Sequence, residues 1–283
     1  MTQMEWSAIL TAVATVLLVI VGGAQLIVLQ AQRRQQRLDL AEVYRRRWAE
    51  SAAQWAAVVF LGRDPDDFYQ VASKEELEKF KAAVSASSAY EQDPWALHSV
   101  RTISSILSEV TLRILQGQLR IEDAYPIFGT ELLRHSRPLR SLLDGRTDYG
   151  GYGRLGPDHQ QRLHIDLRGY MQDWLIYHDG IRRRSLIIID MLWAEAVRLE
   201  DLPPSDIKSA ADAKKITGHL NKKRLKTEFY RLRGRSRFLR AWRLAKSLGH
   251  AEYRRIGRKI GVDEKRLQEL DVEWTERILR DFK

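Results

Sequence analysis

From Trp6 to Leu29 the chain carries no charged side chain: WSAILTAVATVLLVIVGGAQLIVL. Few folds accommodate such a run. From Ala8 to Leu29 a helix rising about 1.5 Å per residue covers about the thickness of a hydrocarbon core. Gly22-Gly23 and Gln25 weaken that helix in water, but glycine is common in membrane helices. The flanks are unequal. Glu5 precedes the run with no Lys or Arg, whereas Arg33, Arg34 and Arg37, then Arg45, Arg46 and Arg47, follow it. The positive-inside rule puts the arginine side in the cytoplasm. The expectation is an inner (plasma) membrane protein, its N-terminus outside, its bulk cytoplasmic and Trp6 at the outer interface.

Two other readings compete. A cleaved signal peptide would use Gly22-Gly-Ala24 as its small-residue site. Its n-region lacks a positive charge, and the apolar run continues through Leu26-Ile-Val-Leu29 past that cut. A buried helix of a soluble domain fits poorly with so long an uncharged run that has arginines on one side only. Ser7, Thr11 and Thr15, with Ala8 and Ala12, repeat at a spacing that lets two helices approach. Lipid-facing filler is the favoured reading of them, and homo-oligomerisation through this helix stays an open expectation.

The rest of the chain reads as all-α, a cytoplasmic multi-helix domain behind a single transmembrane helix. Leu40, Tyr44, Trp48, Ala52, Trp55 and Val59 form one apolar stripe at helical spacing. Gly62 and Asp64-Pro65 end it, and the anchor and this stalk can be one rod. Ser73 with Glu76 makes a capping box for a helix reaching about Tyr90. Asp93-Pro94 reads as the start of the next, ended by Gly117. Shorter helices follow from Ala124 to about His135 and from Pro138 to Gly145. Asp144 to Pro157 is a glycine-rich loop, and a helix then runs to about His178. Ile181 to Leu199, with Leu186-Ile-Ile-Ile189 and Met191-Leu-Trp193, is the most apolar segment and the expected central helix. Leu202-Pro-Pro-Ser205 marks a boundary. No period-two alternation predicts a sheet. The expected organisation is an anchor (1–30), a juxtamembrane helix (31–62), a helical core (63–200) and a basic C-terminal region (201–283).

Charge singles out that last region. Asp206 to Lys259 holds eighteen basic residues against four acidic ones, a net +14 in a chain whose total is +10, so the remainder carries −4. Arg231, Arg233, Arg235, Arg237, Arg240, Arg243, Arg254, Arg255, Arg258 and Lys259 are the expected ligands of an anionic surface. Leu225, Phe229, Leu232, Leu239 and Trp242 interleave with them and can pack while the arginines face phosphate. Anionic lipid of the inner leaflet is one partner, where each basic residue adds about 1 kcal/mol. Nucleic acid is the other, and a solvated face without a ligand is the third reading. Tyr253 to Leu267 has the outline of a helix-turn-helix, with Gly261 at the turn, Asp263 as cap and Glu264, Lys265 and Gln268 outward.

Catalytic patterns are missing. Without cysteine, disulfides, thiol nucleophiles and Cys-based zinc sites are excluded. Gly151-Tyr-Gly153-Arg-Leu-Gly156 matches G-x-G-x-x-G, but no strand precedes it, so a connecting loop is expected. His159 and His164, five apart, fall on different helix faces. Asp166, Asp173 and Glu195 read as ion-pair partners of Arg168 or Arg182. No metal or other cofactor is expected, and the reading leans away from an enzyme.

The stretch from Ile106 to Gly129, behind a single helix, resembles a family of bacterial single-pass membrane-anchored helical proteins of unknown function. An apolar helix ends at Gly117, an acidic start follows at Glu122-Asp123, and an aromatic-Gly pair stands at Phe128-Gly129. The resemblance spans roughly residues 6–145 and implies no activity and no catalytic residue. Together these readings predict a membrane-tethered, non-enzymatic helical module, a sensor or effector subunit offering a basic surface to anionic lipid or a protein partner. A membrane-linked nucleic-acid-binding protein is the alternative.

Overall fold

The uncharged run and the arginines behind it form one uninterrupted helix, α1 (Gln3–Glu50). In the computed structural model, which describes residues 3–62, 89–144, 159–232, 237–248 and 264–281, α1 is exposed from Val13 to Gln36, with only Gly22 half-covered. Burial begins at Arg37 and deepens at Tyr44 and Trp48. One helix is thus an uncovered apolar rod at one end and a core element at the other. It is long and apolar enough to cross a membrane.

At Ser51 the helical ladder breaks for one residue. The Ser51 N–H donates to the Trp48 carbonyl at 3.0 Å, and its Oγ donates to the same carbonyl at 2.9 Å. α2 (Ala52–Gly62) follows. This break changes the phase of the predicted stripe. Tyr44, Trp48, Trp55 and Val59 are buried and Leu40 is half-buried, but Ala52 is exposed and Ser51 takes the inward place. Trp48 meets Trp55 at 5.3 Å and Phe128 edge-on at 4.9 Å between ring centroids, geometries that aromatic quadrupoles favour.

The remaining described helices are α3 (Ala89–Gln116), α4 (Ile121–Arg134), α5 (Ser136–Asp144), α6 (His159–Tyr177), α7 (Asp179–Leu199), α8 (Pro204–Arg231), α9 (Arg237–Ser247) and α10 (Glu264–Asp281). The described residues contain no strand. α3 starts ahead of Asp93-Pro94, so Pro94 sits in its second turn and removes one backbone hydrogen bond rather than opening the helix. Gly117 ends α3 at φ 77°, the left-handed conformation glycine adopts without steric cost. Gly129 breaks α4 internally at φ 61°, ψ −167°, a region essentially restricted to glycine. The segments 63–88 and 145–158, with the capping box at Ser73 and the glycine-rich loop, lie outside the described residues.

α7 is the central helix. It packs against α3, α4, α5, α6, α8 and α9, and Leu186 to Ile189, Met191 and Leu192 are fully buried. The core does not stop at Pro204, which occupies the first position of α8. Ile207, Leu225, Leu244, Leu248, Leu267 and Leu270 all belong to the same buried cluster as Tyr44 and Ile188. Gly62 shows how tightly α2 meets α5. A Cβ there would fall 2.0 Å from the Pro138 carbonyl oxygen.

Candidate functional site

Many of the chain's charges are internal. Asp190 of α7 is fully buried; it accepts from Arg140 of α5 and, at 2.5 Å, from Asn221 Nδ2 of α8. Arg224 reaches Asn221 Oδ1 at 2.6 Å and pairs with the buried Asp144, which Arg182 also engages at 2.5 Å. One turn on, Glu228 holds Arg183 at 2.8 Å and Arg184 at 3.1 Å. Arg184 Nε also donates to Ser108 Oγ at 2.8 Å. Buried charge persists only when paired and hydrogen-bonded, and here every carboxylate of the set accepts from at least two donors. The network fixes α8 to α7 and α5. Two of the expected partners therefore change: Arg182 pairs with Asp144 and Glu195 is held by Arg198 at 2.8 Å; Arg168 also donates to Ser141.

What remains for a ligand is the exposed set. On α8 the inward face carries Asn221, Leu225 and Glu228, and the outward face Lys222, Lys223, Lys226 and Tyr230. Lys226 Nζ lies 5.9 Å from the Tyr230 ring centroid, within cation–π range. Arg231 and Arg243 are exposed. Arg240 is not free: it covers Gly117, and its Nη1 donates to the Leu115 carbonyl at 3.4 Å. There it supplies both a hydrogen bond and positive charge to the C-terminus of α3. Arg233, Arg235, Arg254, Arg255, Arg258 and Lys259 lie outside the described residues, as does the Arg237 side chain. So does most of the helix-turn-helix outline; of its described members, Glu264, Lys265 and Gln268 are exposed and Leu267 is buried.

Two residues depart from their expected place. Leu225 is buried and Phe229 and Leu232 are half-buried, but Leu239 is 74% and Trp242 60% exposed. α9 carries two apolar faces. Leu244 and Leu248 enter the core, and Leu239 and Trp242, three residues apart, stand on the opposite side. That second face is the feature the interleaved pattern conceals.

The helix order locates this face. α3 runs antiparallel to α1: Arg47 meets Glu109 at 2.7 Å, and Arg113 Nε reaches Tyr44 Oη at 3.4 Å. Arg37 meets Asp123, in the first turn of α4, at 3.8 Å. The α3–α4 junction around Gly117 therefore lies at the end of the domain nearest the apolar rod. α7 is antiparallel to α3, with Arg184 at Ser108 and Ser185 Oγ donating to the Ser104 carbonyl at 3.2 Å. α8 is antiparallel to α7, and Arg231 approaches Gly180. The C-terminus of α8, the N-terminus of α7 and α9 thus gather at the rod-side end. The opposite end holds Glu200, left-handed at φ 57°, whose carboxylate accepts from Arg266 Nε of α10 at 2.8 Å; that hydrogen bond holds the Glu200 carboxyl below the usual range.

Among the described residues no group of three His, Asp or Glu is disposed to hold a metal ion. His178 stacks on Trp174 at 4.2 Å with its Nδ1 2.9 Å from the Trp174 carbonyl, a helix-terminal contact. No family model, no curated protein and no solved structure matches the chain. The resemblance to the bacterial membrane-anchored family thus rests on its residues alone. The structure gives those positions local reasons: Gly117 and Gly129 are the two described glycines with positive φ, and Asp123 Oδ2 accepts from the Arg120 N–H at 3.1 Å to start α4.

Proposed function

We propose that this chain is a membrane-tethered helical module whose domain, on the cytoplasmic side, offers a basic surface to the anionic lipid of the same membrane. The observation that carries the reading is α1. Its apolar window is entirely uncovered, which argues against a core helix, and it continues without a break into buried Tyr44 and Trp48. Cleavage of a signal sequence after Ala24 would leave Gln25 to Leu29 as an exposed apolar end on the rod, which argues against processing. The arginines at 33, 34 and 37 support the inward orientation. Exposed Lys222, Lys223, Lys226, Arg231 and Arg243 support an anionic partner.

Fractionation of cells expressing the full chain tests the tether, and reporters fused to each terminus test the orientation. The protein is expected in the membrane fraction after alkaline extraction, at full length, with its C-terminus inside. Recovery in the soluble fraction, or of a shortened product, overturns the reading. Nucleic acid is the second reading, favoured by Tyr230 standing among the α8 lysines, an arrangement suited to phosphate contact beside base stacking. Salt-dependent retention of the full chain on single-stranded DNA or RNA, lost in Lys222→Glu/Lys223→Glu/Lys226→Glu, would select it over lipid.

A further inference from the structure

α9 is fixed by its inner face. Arg240 lies over Gly117 and donates to the Leu115 carbonyl. Carbonyls in the last turn of a helix point along its axis beyond the C-terminus. α3 ends toward the apolar rod, so the Arg240 guanidinium caps its rod-side end, and α9, packed on α7 and α8, lies at that end of the domain.

The height follows from α1. Arg113 is level with Tyr44, so Gly117, four residues on in an antiparallel helix, is level with about Leu40. Eleven residues separate Leu40 from Leu29, about 16 Å of helix. Headgroups take up about 5–7 Å of that on each side of the hydrocarbon. The gap that is left, about 10 Å, is the diameter of one helix with its side chains, room enough for α9 at that end of the domain.

The outward face of α9 has the composition of an interface. Leu239 and Trp242 are largely exposed there with Arg243 beside them, while Tyr230 of α8 and Tyr177, before α7, are 76% and 88% exposed at the same end of the domain. Exposed aromatics and an aliphatic residue among cations suit the headgroup level of an anionic bilayer, where amphipathic rings concentrate. Water alone gives such a group no reason to cluster at one end.

We infer that α9 is an interfacial helix: Leu239 and Trp242 enter the headgroup region of the bilayer that holds α1, and Arg231 and Arg243 meet its anionic lipid. The inference rests on the proposed tether and deepens it, making the domain doubly attached, by a span and by a face.

Because the chain has no cysteine, single nitroxide labels test this directly. The full chain is reconstituted in vesicles of phosphatidylcholine with about one third phosphatidylglycerol, a composition that provides the anionic surface. Labels are placed singly at Leu239→Cys, Trp242→Cys, Val16→Cys in the rod and Gln268→Cys at the far end. Collision with oxygen, which partitions into lipid, is compared with collision with a polar nickel chelate. At 239 and 242 the oxygen-to-nickel ratio is expected to exceed that at 268 several-fold and to fall toward it in Arg231→Glu/Arg243→Glu. Ratios at 239 and 242 equal to that at 268, with 16 shielded, overturn the inference and leave the tether standing. An aqueous label at 16 overturns the tether itself. Spin–spin broadening at 242 assigns the face to a second copy of the chain and also overturns it.

Discussion

Asp190→Leu is the sharpest probe of how the domain is held together. Asp190 is fully buried and accepts from Arg140, itself buried, and from Asn221. The substitution takes the Asp190 carboxylate away from the buried Arg140 guanidinium. Removing one member of a buried ion pair costs about 3–5 kcal/mol, most of it for stranding the other charge. For a domain of this size each kcal/mol lowers the Tm by about 2–4 °C, so a drop of about 6–20 °C is expected. Arg140→Met/Asp190→Leu removes both charges; Asn221 keeps Arg224 at 2.6 Å and the Leu186 carbonyl at 3.5 Å. The double variant should therefore recover most of the loss. Thermal and guanidinium unfolding of the full chain in micelles, followed by tryptophan fluorescence, measures this, because Trp193 lies one turn from Asp190 on α7 and donates to Ser136 Oγ at 3.2 Å. A single variant within about 1 kcal/mol of the parent, or a double variant as unstable as the sum of the two singles, would refute the assignment of Asp190 as a buried charge coupled to Arg140.

Other perturbations have equally definite outcomes. Gly62→Ala forces a methyl against the Pro138 carbonyl and should cost about 1–3 kcal/mol by overpacking, read as a lower unfolding midpoint. Gly117→Ala should cost about 1–2 kcal/mol from its positive φ, and unfolding of Arg240→Ala/Gly117→Ala should retain that cost, since the backbone strain is independent of the guanidinium. Arg266 holds the Glu200 carboxyl below its usual 4.5; that contribution is present above pH 4.5 and is lost as pH falls through the folded value, so Arg266→Ala should flatten the acid limb of a stability–pH curve. Burial lowers the His135 pKa below 6.5. Its contribution is therefore present above pH 6.5 and is lost as pH falls through the folded value, and His135→Gln should remove that part of the slope.

The helices were legible wherever a single apolar face decided them. The continuous rod, the Gly117 stop and the central position of Ile181 to Leu199 all follow from spacing. Departures occur where a local backbone event or a long-range partner intervenes. One serine bonding back to the Trp48 carbonyl turns Ala52 outward, and no hydropathy pattern encodes that change of phase. Pro94 has the form of a helix start yet lies within α3. Arg182 finds Asp144, thirty-eight residues upstream, rather than a carboxylate on its own or a neighbouring apolar helix. In the basic region, counting charge could not separate Arg224, engaged by Asp144, or Arg240, bound at the end of α3, from Lys222 and Arg243, which face solvent. Nor could it tell that Leu239 and Trp242 belong to a second apolar face of α9, because two opposed stripes on a short helix read as one mixed pattern.

The unbroken α1 also makes the stretch between Leu29 and Leu40 a spacer of defined length. Each residue added there would lift the domain about 1.5 Å and turn it about 100°, and neither change can be absorbed by a flexible joint because the described helix has none before Ser51. Apart from Arg33 and Arg34, which carry the orientation signal, the exposed side chains from Gln30 to Gln36 make few contacts, but their number is fixed by the spacing. Four extra residues would return the domain to nearly the same azimuth about 6 Å farther from Leu29. Under the proposed tether, the height of α9 above the lipid follows from the number of residues between Leu29 and Arg37, whereas Arg33 and Arg34 act on orientation.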